Sequence, residues 1–296
     1  MKGKLCICLL CILSAPLFSS GVMTGLHHKR VIQTQYFDII YASGSEKSAT
    51  LIANNIDSMY ESLFTQFRAK PWSHFPVTIT SSLDELNAYF TSFPYNRIVL
   101  FDTLPEESLA VYSNTLLSVL YHEMTHAVNY NQKNNAWSLI GTIFGDQYSP
   151  AFLNVPSSVS EGTAVTMESA VTEKEGRVNS AFSTHVVRQA KIDGVFPPWQ
   201  SITGARDIYP VGELPYIFGG MFFTYLKNTY GQEKLTQYWY RMNNEVLGAF
   251  YFQPFEEIFG ISLKQAWNDW YNTISVPDVP SDPLKTDGIE PFLQDK

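Results

Sequence analysis

Residues 122–126 read His-Glu-Met-Thr-His. If the segment is helical, positions four apart lie one turn apart on one face, so His122 and His126 can aim two imidazoles at a single ion. Glu123 is displaced by about 100° around the helix from His122. That offset keeps it off the metal and beside the place where a hydrolytic water would sit. Two neutral nitrogen ligands, a carboxylate base and an open position are what hydrolytic zinc chemistry needs. Two histidines could also form an ordinary buried or surface pair. With six histidines in the chain, random order would produce this pattern roughly once in a few hundred chains of this length.

The surroundings favour a helix. From about Glu107 to Asn129 the apolar positions Leu117, Leu120, Tyr121, Met124 and Val128 recur at helical spacing, and no breaker interrupts them. A catalytic zinc usually takes a third protein ligand. A metzincin arrangement would want Gly at 129 and His at 132. The chain has Asn129 and Gln132, which leaves downstream carboxylates. Glu161 stands near the start of a predicted helix in the run SEGTAVT (160–166). Taken alone, it reads equally as a capping or surface acid. Glu168 lies two turns further on nearly the same face. It can be a ligand, an acceptor for the outer nitrogen of a zinc histidine, or an exposed acid.

At these residues the chain resembles the gluzincin metallopeptidases, whose third ligand is a Glu on a second helix, often followed by Gly and a small residue. PYNRIVLF (94–101) resembles the strand preceding the zinc helix in an exported bacterial group of them. PYIFGGMFFTYLKNTYG (215–231) resembles their downstream Tyr-containing, Gly-rich helix. The resemblance covers about 75–245. It implies one Zn²⁺ per chain held by His122, His126 and Glu161, Glu123 as general base, and a peptide or protein substrate. It also implies that Tyr216 donates to the tetrahedral oxygen. His185 is a second candidate for that donor. A zinc-holding pseudoenzyme or envelope binding protein using the same cleft is the alternative, but it would not need Glu123. No Gly-x-Met-Glu-Asn-like element precedes the zinc helix to grip a peptide's amino terminus, so endopeptidase action is preferred.

Other features place this chemistry. MKGKLCICLLCILSAPLFSSG has a short basic start, an apolar run from Leu5 to Leu13 and small residues after it, the order of a signal peptide spanning 1–21. The expected location is periplasmic or secreted, with an uncleaved anchor as the alternative. Cys6, Cys8 and Cys11 all fall in this segment, so a thiolate zinc site or disulfide framework is not expected beyond it. Without Lys2 and Lys4, 18 basic residues face 28 acidic ones, a balance of −10. There is no basic run, which argues against nucleic acid as a partner.

The pattern predicts an α+β, zincin-like domain over 33–275. A small mixed-sheet lobe with helices (about 33–133) precedes a mostly helical lobe (about 134–275), with the zinc helix at their junction. Strands are predicted at Tyr36–Tyr41, Phe75–Thr80 and Arg97–Phe101, and helices at 45–67, 156–171, 178–192, 214–229, 232–243 and 262–274. A helix start is expected near Ser82. The strand at 97–101 is the expected edge for pairing with an extended substrate. Gly219-Gly220 reads as a close helix contact rather than a phosphate loop, and His27, His28 and His74 read as surface residues. A Pro-rich tail over 276–296 is expected to be loosely held.

Overall fold

The computed structural model describes residues 29–81, 86–103, 112–172, 174–203, 212–245 and 252–277. The proposed signal segment with its cysteines, His27 and His28, nearly all of the tail and the helix start near Ser82 lie outside these residues.

Five strands form one mixed sheet: β1 (Lys29–Gln33), β2 (Phe37–Ala42), β3 (Phe75–Thr80), β4 (Ala88–Thr91) and β5 (Arg97–Phe101), in the order β1-β2-β3-β5-β4. The central strands β2, β3 and β5 run parallel, and β1 and β4 close the two edges antiparallel. Strand β5 therefore lies inside the sheet with four of its five residues buried, contrary to the expectation that 97–101 forms an edge. Its apolar run Ile-Val-Leu-Phe suits a strand covered on both faces. The edge is β4, four half-buried residues too short for its pattern to stand out in the sequence. Helix α1 (Glu46–Gln66) turns Ile52, Ile56, Tyr60 and Leu63 into the core beside the sheet.

Helix α2 (Thr115–Tyr130) carries the His-Glu-Met-Thr-His run. Asn114 caps it by accepting from the Leu117 N–H at 3.2 Å. The sequence pattern predicts a start near 107, but residues 112–114 are not helical and the helix begins only at Thr115, where Asn114 caps it. All ten residues from Leu120 to Asn129 are buried, because α2 packs between α1, the strands β4 and β5, and the second lobe.

That lobe comprises α3 (Asn135–Phe144), α4 (Ala151–Asn154), α5 (Ser157–Glu168), α6 (Ala181–Ile192), α7 (Gly220–Tyr230), α8 (Gln232–Asn244), α9 (Phe252–Phe259) and α10 (Leu263–Thr273). A π-helical turn, Pro215–Gly219, leads into α7. Helix α5 packs against α2 on one side and this turn on the other. The contact with the turn is very close. A Cβ on Gly162 would sit 2.8 Å from the Gly219 backbone, and one on Gly220 would sit 2.5 Å from Val165. The paired glycines are thus a helix contact, as their sequence suggested, and they fix how near the turn can come to Glu161. Among the described residues, no helix is long and apolar enough to cross a membrane.

Candidate metal centre

His122 and His126 project from α2 into a cleft of about 920 Å³ between β4, α2, α5 and the π-helical turn. Their Nε2 atoms lie 3.1 Å apart. Glu161 reaches in from α5, with Oε2 3.1 Å from His122 Nε2 and 3.3 Å from His126 Nε2. Three donors bound about 2.0–2.1 Å from one tetrahedral zinc would stand about 3.3 Å from each other. The triangle therefore has the size that a zinc ion demands, and its two-nitrogen, one-carboxylate donor set suits that metal.

Glu123 is also close, its ligand atom lying within 4.8 Å of both imidazoles. It is nevertheless a poorer ligand than Glu161. It is further away, and its Oε2 accepts the Phe90 N–H of β4 at 2.7 Å. An edge strand has backbone donors that its one neighbour does not use. Here one of them holds the carboxylate at the side of the triangle, where a base would stand.

Both imidazoles turn their Nδ1 atoms outward to fixed partners. His122 Nδ1 lies 2.8 Å from Glu168 Oε2, and His126 Nδ1 lies 3.0 Å from Ser160 Oγ. An N–H donated at Nδ1 leaves the Nε2 lone pair free to face an ion, the usual arrangement for metal-binding histidines. Glu168 is buried and far from exposed: Arg177 donates to it through Nε at 2.7 Å and Nη2 at 3.0 Å, and the Tyr112 hydroxyl donates to it as well. Arg177 Nη2 is also 2.9 Å from His122 Nδ1. Two donors gain nothing from each other, so both protons are better spent on Glu168.

Burial alone would raise the Glu168 pKa, but the charges of Arg177 and His122 outweigh it and hold the carboxyl at about 2. Burial would likewise lower His122. The charge of Glu168, together with the hydrogen bonds His122 donates to Glu161 and Glu168, reverses this and raises it to about 9, so an ion bound at Nε2 would have to displace a proton. Glu161 is held well below the usual carboxylate range, because the charge of His126 and the hydrogen bonds of both histidines overcome its burial. The carboxylates are thus kept charged in a protein interior, where a cation is favoured.

Tyr216 lies in the π-helical turn and lines the same cleft, its ring stacked 6.3 Å from that of His122. Arg177 Cζ lies over the Tyr216 ring, 4.8 Å from its centre. Burial, then the charge of Glu161, pushes the Tyr216 pKa up, so the hydroxyl keeps its proton. The structure does not bring His185 to the site. It is exposed on α6 and does not line the cleft, whereas Ser183 from the same helix does. A lone histidine in an otherwise ordinary amphipathic helix gave no basis for telling which way it faced. His74 is exposed and pairs with Asp38 at 3.2 Å, as its surface reading had it. Sequence reasoning missed Ser160, Arg177 and Tyr112. The neighbouring position of Ser160 to Glu161 is the one signal that could have found any of them.

No family model matches the sequence. The chain is 30% identical over 256 residues to an uncharacterized protein of Treponema pallidum, covering 86% of this chain and 22% of that one. It thus spans about a fifth of the length of that relative. Among solved structures it is similar to an M1 zinc metallopeptidase from Deinococcus radiodurans, with a TM-score of 0.50, 17% identity, and coverage of 86% of this chain and 53% of that one. A mutant of the same enzyme superposes with the same TM-score at 16% identity, covering 54% of that chain. At that identity the likeness shows a shared zinc-metallopeptidase fold.

Proposed function

We propose that this chain is a zinc-dependent peptidase, with His122, His126 and Glu161 as metal ligands and Glu123 as general base. The observation that carries the proposal is the convergence of three donor atoms at 3.1, 3.1 and 3.3 Å, with both outward imidazole nitrogens anchored. A bound zinc ion would supply Lewis acidity to a substrate carbonyl and to water.

The remaining work falls to the chain's own groups. Glu123 takes the proton from the attacking water and delivers it to the leaving amine. The Phe90 N–H holds its carboxylate in position meanwhile. Tyr216, protonated and in the cleft wall, donates to the developing oxyanion. An extended substrate lies along β4, the edge beside the site, and pairs with its backbone. The substrate class is peptides or proteins cut internally. The basic-apolar-small order of residues 1–21 supports export, and with it a periplasmic or secreted place of action.

Glu123→Gln keeps the side chain's shape and removes the base. The variant should fold and keep its zinc, while hydrolysis of a quenched peptide pool falls by about 10²–10⁴-fold. Zinc content and turnover are measured together, wild type against variant. Equal cleavage by both would remove Glu123 from the role. No cleavage by a fully zinc-loaded wild type would leave a binding protein that uses the same cleft.

A further inference from the structure

Helix α3 is built as if it faced the core, yet it does not. Its sequence, NAWSLIGTIF, contains no charged residue, and only Gly141 is buried. Leu139 and Ile143, one turn apart, are each 62% exposed, and Phe144 is 61% exposed. Tyr148, half-exposed, contacts Phe144 ring to ring at 6.0 Å, and Leu153 of the following helix α4 is 90% exposed. Exposed aliphatic and aromatic side chains scattered singly need no explanation, but a contiguous patch marks an interaction surface.

Helix α4 links this exposed surface to the cleft along the chain. Phe152, next to Leu153, lines the cleft and stacks on Tyr130 at 4.5 Å. Tyr130, at the end of the zinc helix, in turn stacks on Phe90 of edge strand β4 at 6.2 Å. A row of rings therefore runs from edge strand β4 to Phe152 in α4, the residue that precedes exposed Leu153. We infer that this face is an exosite that holds an apolar, extended segment of a protein substrate while a neighbouring segment of the same chain occupies the cleft. The inference rests on the peptidase reading and names its substrate class: unfolded or partly unfolded polypeptides rich in apolar residues, rather than short peptides.

Length supports this occupant. Ten helical residues span about 15 Å, which an extended chain crosses in about five residues at about 3.3 Å each. A short extended segment of about five residues is therefore enough to cover the ridge. A membrane is the weaker occupant, because surface helices that bind bilayers usually carry Lys or Arg beside the apolar face. Helix α3 carries none, and the chain has a formal charge of −8.

The test uses the zinc-loaded protein and a triple variant, Leu139→Ser, Ile143→Ser and Leu153→Ser. None of the three lines the cleft. Two quenched peptides share one cleavage sequence, and the longer adds ten mostly apolar residues on one side or, in a second version, the other. Wild type should cleave a longer peptide with a kcat/KM about tenfold above the short one, equivalent to about 1.4 kcal/mol. The variant should cut both alike, at the wild-type rate for the short peptide. An unchanged long-to-short ratio in the variant overturns the exosite. So does a variant whose only losses are binding to phosphatidylcholine vesicles, or self-association in sedimentation, since the face would then belong to a membrane or a second copy. If wild type cleaves neither peptide, the peptidase reading fails by itself. Anisotropy of the labelled long peptide then decides the ridge separately, with tighter binding to wild type than to the variant as the supporting result and equal binding as the overturning one.

Discussion

The two histidines of the candidate metal centre sit one turn apart on the same helix, yet they are held in different ways. His122 leans on a buried ionic cluster, with Glu168 behind it and Arg177 and Tyr112 behind Glu168. His126 leans on one neutral hydroxyl, that of Ser160. A charged acceptor binds an imidazole N–H more strongly than a neutral one and makes the other ring nitrogen more electron-rich. A single shared arrangement of the two flanks therefore conceals an uneven division of labour. In the proposed zinc site, the His122 flank is expected to set metal affinity and the His126 flank mainly ring orientation.

Removing a ligand erases the contrast altogether. His122→Ala and His126→Ala should each lose stoichiometric zinc, because either leaves only two protein ligands. Metal analysis of purified protein checks this, and full retention in either variant would overturn the ligand assignment. Glu161→Ala should do the same through α5. A smaller effect reaches both flanks through the seam that carries Glu161. Gly162→Ala places a Cβ 2.8 Å from the Gly219 backbone, where no flexible side-chain end can yield. The expected cost is about 1–3 kcal/mol of stability. Thermal unfolding measures it, and an unchanged midpoint would show that the α5 contact with the π-helical turn is looser than its geometry.

Glu168→Ala tests the stronger flank alone. It removes the acceptor for His122 and strands Arg177 beside it without its carboxylate. Zinc affinity should fall about 10–100-fold, the range for losing an outer partner of a ligating histidine. Chelator competition gives the value. A loss as large as that of Glu161→Ala would make Glu168 a ligand instead.

The sequence shows one flank better than the other, and the reason is covalent distance. The two histidines and Glu123 are legible because helical periodicity alone brings them together. Helix α2 was expected for the same reason, as were β3 and β5, whose bounds match at Phe75–Thr80 and Arg97–Phe101. Glu168 was visible as a candidate because it shares a helix face with Glu161. Arg177 and Tyr112 were invisible, since Tyr112 meets Glu168 across 56 residues of chain and no periodicity links them. Sheet order is also non-local. Whether 97–101 lies inside or at the edge depends on the four residues of β4, whose run Ala-Tyr-Phe-Thr carries little pattern of its own. The exposed helix α3 was missed as well: its ten residues carry no charge, and its polar side is limited to Asn135, Ser138 and Thr142.

The weaker flank gives the smallest effect and the sharpest check on the comparison. Ser160→Ala removes the only acceptor shown for His126 Nδ1, leaving that N–H buried against a methyl group. The hydroxyl is neutral, so its loss costs one ordinary hydrogen bond rather than a charge-assisted one. The two classes differ roughly twofold in energy. Zinc affinity should therefore fall by no more than about tenfold, at the bottom of the range for outer partners. Ser160→Thr retains a hydroxyl and should recover most of the loss, which a defect caused by general loosening of α5 would not show. Chelator competition on wild type, Ser160→Ala, Ser160→Thr and Glu168→Ala, at one pH and ionic strength, ranks the flanks directly. If Ser160→Ala loses as much affinity as Glu168→Ala, the ionic cluster adds nothing beyond holding a ring in place, and the difference between the two flanks is one of structure without consequence for the metal.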